Sequence, residues 1–225
     1  MVLRILRPGH RADVLGALAR QAGWVALVAA CAVSSACSSS NSSPTPETYI
    51  AATVGPGENE NLCNLGVTTQ WVNLGLFHPD LPDTVKDGGN VGGNAVSVVC
   101  TVATSGNGFD VALSATEEGT AGGTVVITSP TGQGAVTASG GSGITGVFAS
   151  GANGDYRDTD CTIAFTYAGG TVPNDPPIAA GRIWGHISCP QATTTGKSVN
   201  NPDGGAPLPV TCDAEADFLF QECAQ

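Results

Sequence analysis

Charge is scarce in this chain, and positive charge scarcer still. Asp, Glu, Lys and Arg make up 12% of its 225 residues, about half the share of ordinary soluble domains. Beyond residue 20 the only bases are Lys86, Arg157, Arg182 and Lys197. Beyond residue 36 they face 18 acids, a net charge of −14. A surface of that sign repels phosphate backbones and disfavours attachment to anionic headgroups, so nucleic acid is not an expected partner. Aromatics supply only 5%. Leu, Glu, Lys and Arg are few after residue 20, which leaves little from which to build amphipathic helices. There is no C-x-x-C pair, and His78 and His186 are the only histidines past the first ten residues, so the usual zinc ligand sets are missing. No G-x-S-x-G elbow supports a hydrolase, although a Ser-His-Asp set needs only to meet in space.

What the chain has instead is glycine, 31 residues and nearly double the usual share, with abundant Val and Thr. The apolar pattern has a period of two. Val96, Val98, Cys100 and Val102 alternate with Ser97 and Thr101, and Val99 breaks the polar face. Phe109, Val111, Leu113 and Ala115 form a second run, and Val125 with Ile127 a shorter one. Cys161, Ile163, Phe165 and Tyr167 form another. Ile183, Ile187 and Cys189 share a face opposite Trp184 and His186, and Phe218 and Phe220 close the series. Gly, Pro, Asn and Asp clusters bound these runs, as turns between strands require. The pattern predicts an all-β fold: an antiparallel β-sandwich or flattened barrel of about eight to ten strands.

The first 36 residues read differently. Arg4, Arg7, Arg11 and Arg20 precede an apolar core over 22–33, of signal-peptide length and shorter than the roughly 20 residues of a membrane span. Ser34-Ser35-Ala36-Cys37 follows. This segment resembles a bacterial lipoprotein signal, a family in which a peptidase cuts before a cysteine whose thiol carries a diacylglyceryl group. Two cysteines compete for that role. Val28-Ala29-Ala30-Cys31 matches the family pattern better by residue type. Cys37 leaves the full apolar core upstream, and six further cysteines downstream that can pair completely: Cys63, Cys100, Cys161, Cys189, Cys212 and Cys223. The resemblance therefore implies lipidation at Cys37, with Cys31 as the alternative, export, and attachment to a membrane through the lipid. Ser38 rather than Asp follows Cys37, which in Gram-negative members of the family is compatible with the outer membrane. The segment Gly181–Pro190, with Cys212 and Cys223, also resembles parts of exported bacterial lipoproteins from high-GC organisms, a resemblance that brings no activity with it.

Residues 37–50, rich in Ser and Pro, read as the lipidated cysteine and a tether, and 51–225 as one β-sandwich domain. Three cysteines on apolar strand faces predict disulfides that staple the sheet; sequence leaves the pairing open among 15 connectivities. Gly141–Gly146 matches G-x-G-x-x-G, but no helix-forming segment follows it, so nucleotide binding is not expected and a Gly-rich hairpin is. Asp155, Asp158 and Asp160 are read as a turn before the strand at Cys161, with a calcium site as the alternative. Trp71 and Trp184 are read mainly as packing residues and, alternatively, as rings that stack on a glycan. Trp184, opposite Ile183 and Ile187, is the better candidate for exposure or for a second core. The expected role is therefore structural or interactive rather than catalytic, with no required cofactor and a protein or glycan partner.

Overall fold

A computed structural model describes residues 43–120, 122–167, 170–173, 176–201 and 204–225. It is all-β; its strands pair antiparallel, and an isolated bridge between Thr101 and Ala224 is parallel. Fifteen strands run in chain order: β1 (Glu47–Gly55), β2 (Thr69–Leu74), β3 (Val85–Lys86), β4 (Asn90–Val91), β5 (Asn94–Ser105), β6 (Gly108–Glu117), β7 (Gly123–Thr128), β8 (Val136–Thr137), β9 (Gly140–Ser150), β10 (Gly154–Ala164), β11 (Thr166–Tyr167), β12 (Gly170–Thr171), β13 (Ile178–Ala179), β14 (Arg182–Val199) and β15 (Leu208–Gln221). The main sheet is ordered β2-β1-β15-β14-β10-β9-β7-β6-β5-β4.

The runs of period two become the long strands β5, β6, β7, β10, β14 and β15. Their inward positions, among them Val98, Val102, Leu113, Ile127, Ile163, Ile187 and Phe218, are buried. The sheet then curls until its ends meet, which makes it a flattened barrel. Segment Val85–Gly89 bridges the gap: Lys86 pairs with Glu47 of β1, while Gly88 N donates to Val96 O of β5 at 3.0 Å. The C-terminal residues close a second seam. Ala224 N donates to Cys100 O at 3.0 Å, and Val102 N to Ala224 O at 2.9 Å. Closure satisfies backbone groups that an open β5 edge would leave unpaired.

Three disulfides staple the sheet: Cys63–Cys212, Cys100–Cys223 and Cys161–Cys189. The first ties the loop after β1 to β15, the second ties β5 to the C-terminal tail, and the third joins neighbouring strands β10 and β14. Six paired cysteines fit an exported protein in an oxidising compartment.

Three local expectations are corrected. β1 begins at Glu47, inside the stretch read as tether, because Glu47–Ile50 pairs with Phe218–Gln221 and buries Tyr49 and Ile50. Gly141–Gly146 runs along strand β9, an arm of the β8–β9 hairpin rather than its turn. The reason lies at Gly146, where a Cβ would stand 2.5 Å from Cys189 Sγ and 2.9 Å from Cys161 Sγ. Only a residue without a side chain lets the disulfide lie across this strand. Asp155, Asp158 and Asp160 lie within β10 rather than in a turn before it. The ladder to β9 shifts between Asp158 and Cys161, and the buried Asp158 carboxylate accepts the N–H of Asp160 at 2.9 Å and of Gln191 at 3.0 Å. It serves the bulge.

Candidate functional site

The outer face of β1, β15 and β14 departs from the rest of the surface. On β15, Asp213, Glu215 and Asp217 alternate with the inward Ala214, Ala216 and Phe218. Directly across on β14, His186 pairs in register with Asp217 and Ser188 with Glu215. The period-two rule thus sets a histidine and two carboxylates side by side on one face.

His186 Nδ1 lies 2.9 Å from Asp217 Oδ1, and its Nε2 lies 3.8 Å from Glu215 Oε2. The hydrogen bond to Asp217 raises the imidazole pKa; burial opposes it, and the charges of Asp217 and Glu215 add to the rise. A histidine whose folded pKa is raised stabilises the fold fully below its unfolded pKa of about 6.5, and that contribution is lost as pH rises through the folded value. The thermal midpoint will therefore fall as pH is raised through and above neutrality. Asp217→Asn will flatten that dependence, which melts followed by circular dichroism across the pH range will read.

Rings form the other half of the site. Gly75 ends β2 at φ 79°, a conformation that favours glycine, and starts a loop closed by reciprocal backbone bonds between Leu76 and Asp83 at 3.1 and 2.9 Å. The loop carries Phe77 over the sheet. Tyr49, Phe77, Tyr167 and Trp184 then form a ring series, with centroid separations of 6.0, 5.1 and 6.4 Å. Tyr49 and Trp184 are buried beneath; Phe77 is 41% exposed and Tyr167 half-buried. Burial, with the charge of Asp217 adding to it, pushes the Tyr49 hydroxyl up to about 12. Thr166, Tyr167, His186, Glu215 and Asp217 line a hollow of about 320 Å³, within the range of small-ligand sites.

The expected site residues fall elsewhere or in other roles. Cys31 and Cys37 lie outside the described residues. Trp184 lies on the face opposite Ile183, its ring 6.4 Å from that of Tyr167. It is fully buried, and Trp71 is 4% exposed, so neither indole is open to a sugar in this structure. Trp71 packs edge-on to Tyr156 at 5.6 Å. Asp155 and Asp160 are exposed while Asp158 is buried, so the three do not converge. Among the described residues no group of three or more His, Cys, Asp or Glu is placed to hold a metal ion. His78 stands 3.4 Å from Asp83 at the surface of the Phe77 loop. The residues that sequence reasoning missed are Phe77, Thr166, Tyr167, Glu215 and Asp217. The alternating acids of β15 carried a signal, since acids at every second position opposite apolar residues mark one strand face.

The fold and the hollow together define a disulfide-stapled β-domain with an aromatic and acidic outer site. No protein family, curated protein or solved structure matches the chain.

Proposed function

We propose that the protein is an exported recognition module, anchored to its membrane by lipid at Cys37, with a structural or interaction role and no catalytic one. Its ligand docks at Phe77, Tyr167, His186, Glu215 and Asp217. One observation supports this reading: the half-buried Tyr167 ring, with Phe77 packed against it, and the carboxylates of Glu215 and Asp217 border one hollow. A glycan is the ligand class that suits such a hollow. The rings offer apolar faces to a pyranose, and the carboxylates accept hydrogen bonds from its hydroxyls. The lipid anchor rests on the residues before Cys37 and on the complete pairing of the six cysteines that follow it.

The test is a glycan array probed with the soluble chain, followed by titration of the best binder. Tyr167→Ala is expected to weaken binding about tenfold, the loss of one stacking contact, and Asp217→Asn to weaken it further. An array without binders, or a binder indifferent to both substitutions, overturns the reading. Hydrolysis is the second reading, favoured by the 2.9 Å His186–Asp217 pair alone. Turnover of a bound glycan that is lost in His186→Gln would put it first.

A further inference from the structure

A second hollow adjoins the first along β15. It measures about 120 Å³ and is lined by Thr53, Gly55, Gly57, Thr68, Asp213 and Glu215. Glu215 also lines the larger hollow, so the two meet at its side chain, which is 59% exposed. Small-ligand pockets begin at roughly 300 Å³, so the second hollow cannot hold a ligand by itself. Its contact with the larger one makes it an extension. Asp213, Glu215 and Asp217 stand on one face of β15, and the rise of a strand spreads them over about 14 Å. That exceeds a single pyranose ring.

The polar groups of the extension are fixed in advance. Asp213 Oδ2 accepts the Glu58 N–H at 3.1 Å, and Oδ1 accepts from the Asn59 side-chain amide. That amide also donates to Pro190 O at 2.8 Å, which ties it to the end of β14. A carboxylate has about four lone-pair sites, so Asp213 keeps about two for a ligand. A Cβ at Gly55 would overlap the Thr68 hydroxyl, and one at Gly57 the Asp213 carboxylate; the two glycines let both groups stand where they do. Among the described residues neither hollow is lined by Lys or Arg. Their carboxylates welcome hydroxyl or amine donors and repel an acidic sugar. We propose that the ligand is a glycan chain of two or more units without acidic groups, and that Thr53, Thr68, Asp213 and Glu215 form the subsite for its second unit. This rests on the glycan reading of the larger hollow.

The test is a titration followed by NMR chemical shifts. The probes are glucose, galactose, mannose and glucosamine, the 1,4-linked dimer to tetramer of each, and oligogalacturonate as the acidic set. The best-bound neutral or amino series is expected to gain about tenfold from one unit to two, the effect of one or two added hydrogen bonds. Thr68→Val, at an exposed position, is expected to weaken the dimer about fivefold and to leave the single sugar unchanged, which also reports that the variant is folded. Thr68→Leu, which narrows the hollow, is expected to do the same. Equal affinity for one unit and two overturns the proposal and leaves the glycan reading standing. So does a gain that neither variant touches, or a loss that falls equally on one unit and two. Tightest binding by oligogalacturonate overturns it on charge. No binding in any series overturns the glycan reading itself, and the subsite with it.

Discussion

Gly146→Ala will destabilise the domain by about 1–3 kcal/mol, the usual cost of forcing a methyl into a packed core. The loss will shrink to a few tenths in a Cys161→Ala, Cys189→Ala background. The added Cβ would meet Cys189 Sγ at 2.5 Å, Cys161 Sγ at 2.9 Å and Phe148 Cε2 at 3.2 Å. Two of these three obstacles are a disulfide fixed to strands on both sides, which cannot swing away as a lysine end would. Removing the sulfurs removes the two closest contacts and leaves only the milder one to Phe148, so the two changes are coupled. Urea melts of the four proteins measure the cycle. An alanine cost that is the same with and without the disulfide would show that sulfur contact is not why glycine stands there.

The second large effect concerns the seam at the C-terminus. Cys100→Ala with Cys223→Ala will cost about 4–5 kcal/mol, because the bridge closes 123 residues of chain. At about 2–4 °C per kcal/mol for a domain of this size, the midpoint will drop by about 10–20 °C. The Cys161–Cys189 bridge, with a separation of 28, will cost about 3.5 kcal/mol by the same chain-entropy argument. Breaking the first bridge also frees Ala224 from Cys100 and Val102, which uncovers the edge of β5. Differential scanning calorimetry of the two double variants ranks them. A smaller loss for the 100–223 pair would mean that the tail holds its seam by hydrogen bonds alone.

Much of this architecture was legible from the residues. The strands β5, β6, β7, β10, β14 and β15 announce themselves because each buries one face, and burial writes a period of two into the sequence. β9 was hidden because what decides its residues is close approach: Gly146 answers to a disulfide whose partners are distant in the chain. β1 was hidden at its start, since Glu47-Thr48 looks like the continuation of a Ser/Pro stretch until its pairing with β15 is seen. The acids of β10 misled because bulges demand carboxylates as turns do. The outer site was half legible. His186 and the β15 acids lie at the right period, but the register that joins His186 to Asp217 is set by the β14–β15 ladder. Phe77 and Tyr167 enter the site from outside the main strands: no local pattern marks Phe77, and the run of period two that reached Tyr167 breaks after Ala164, where β10 ends.

The chain ends its main sheet where it began it. Glu47–Gly55 pairs in register with Asp213–Gln221, so the earliest strand described waits for the latest. β15 is also an interior strand, flanked by β1 on one side and β14 on the other. The β1–β15 ladder cannot form before β15 has been made. Such a sheet commits slowly, as sheets built on remote pairings do.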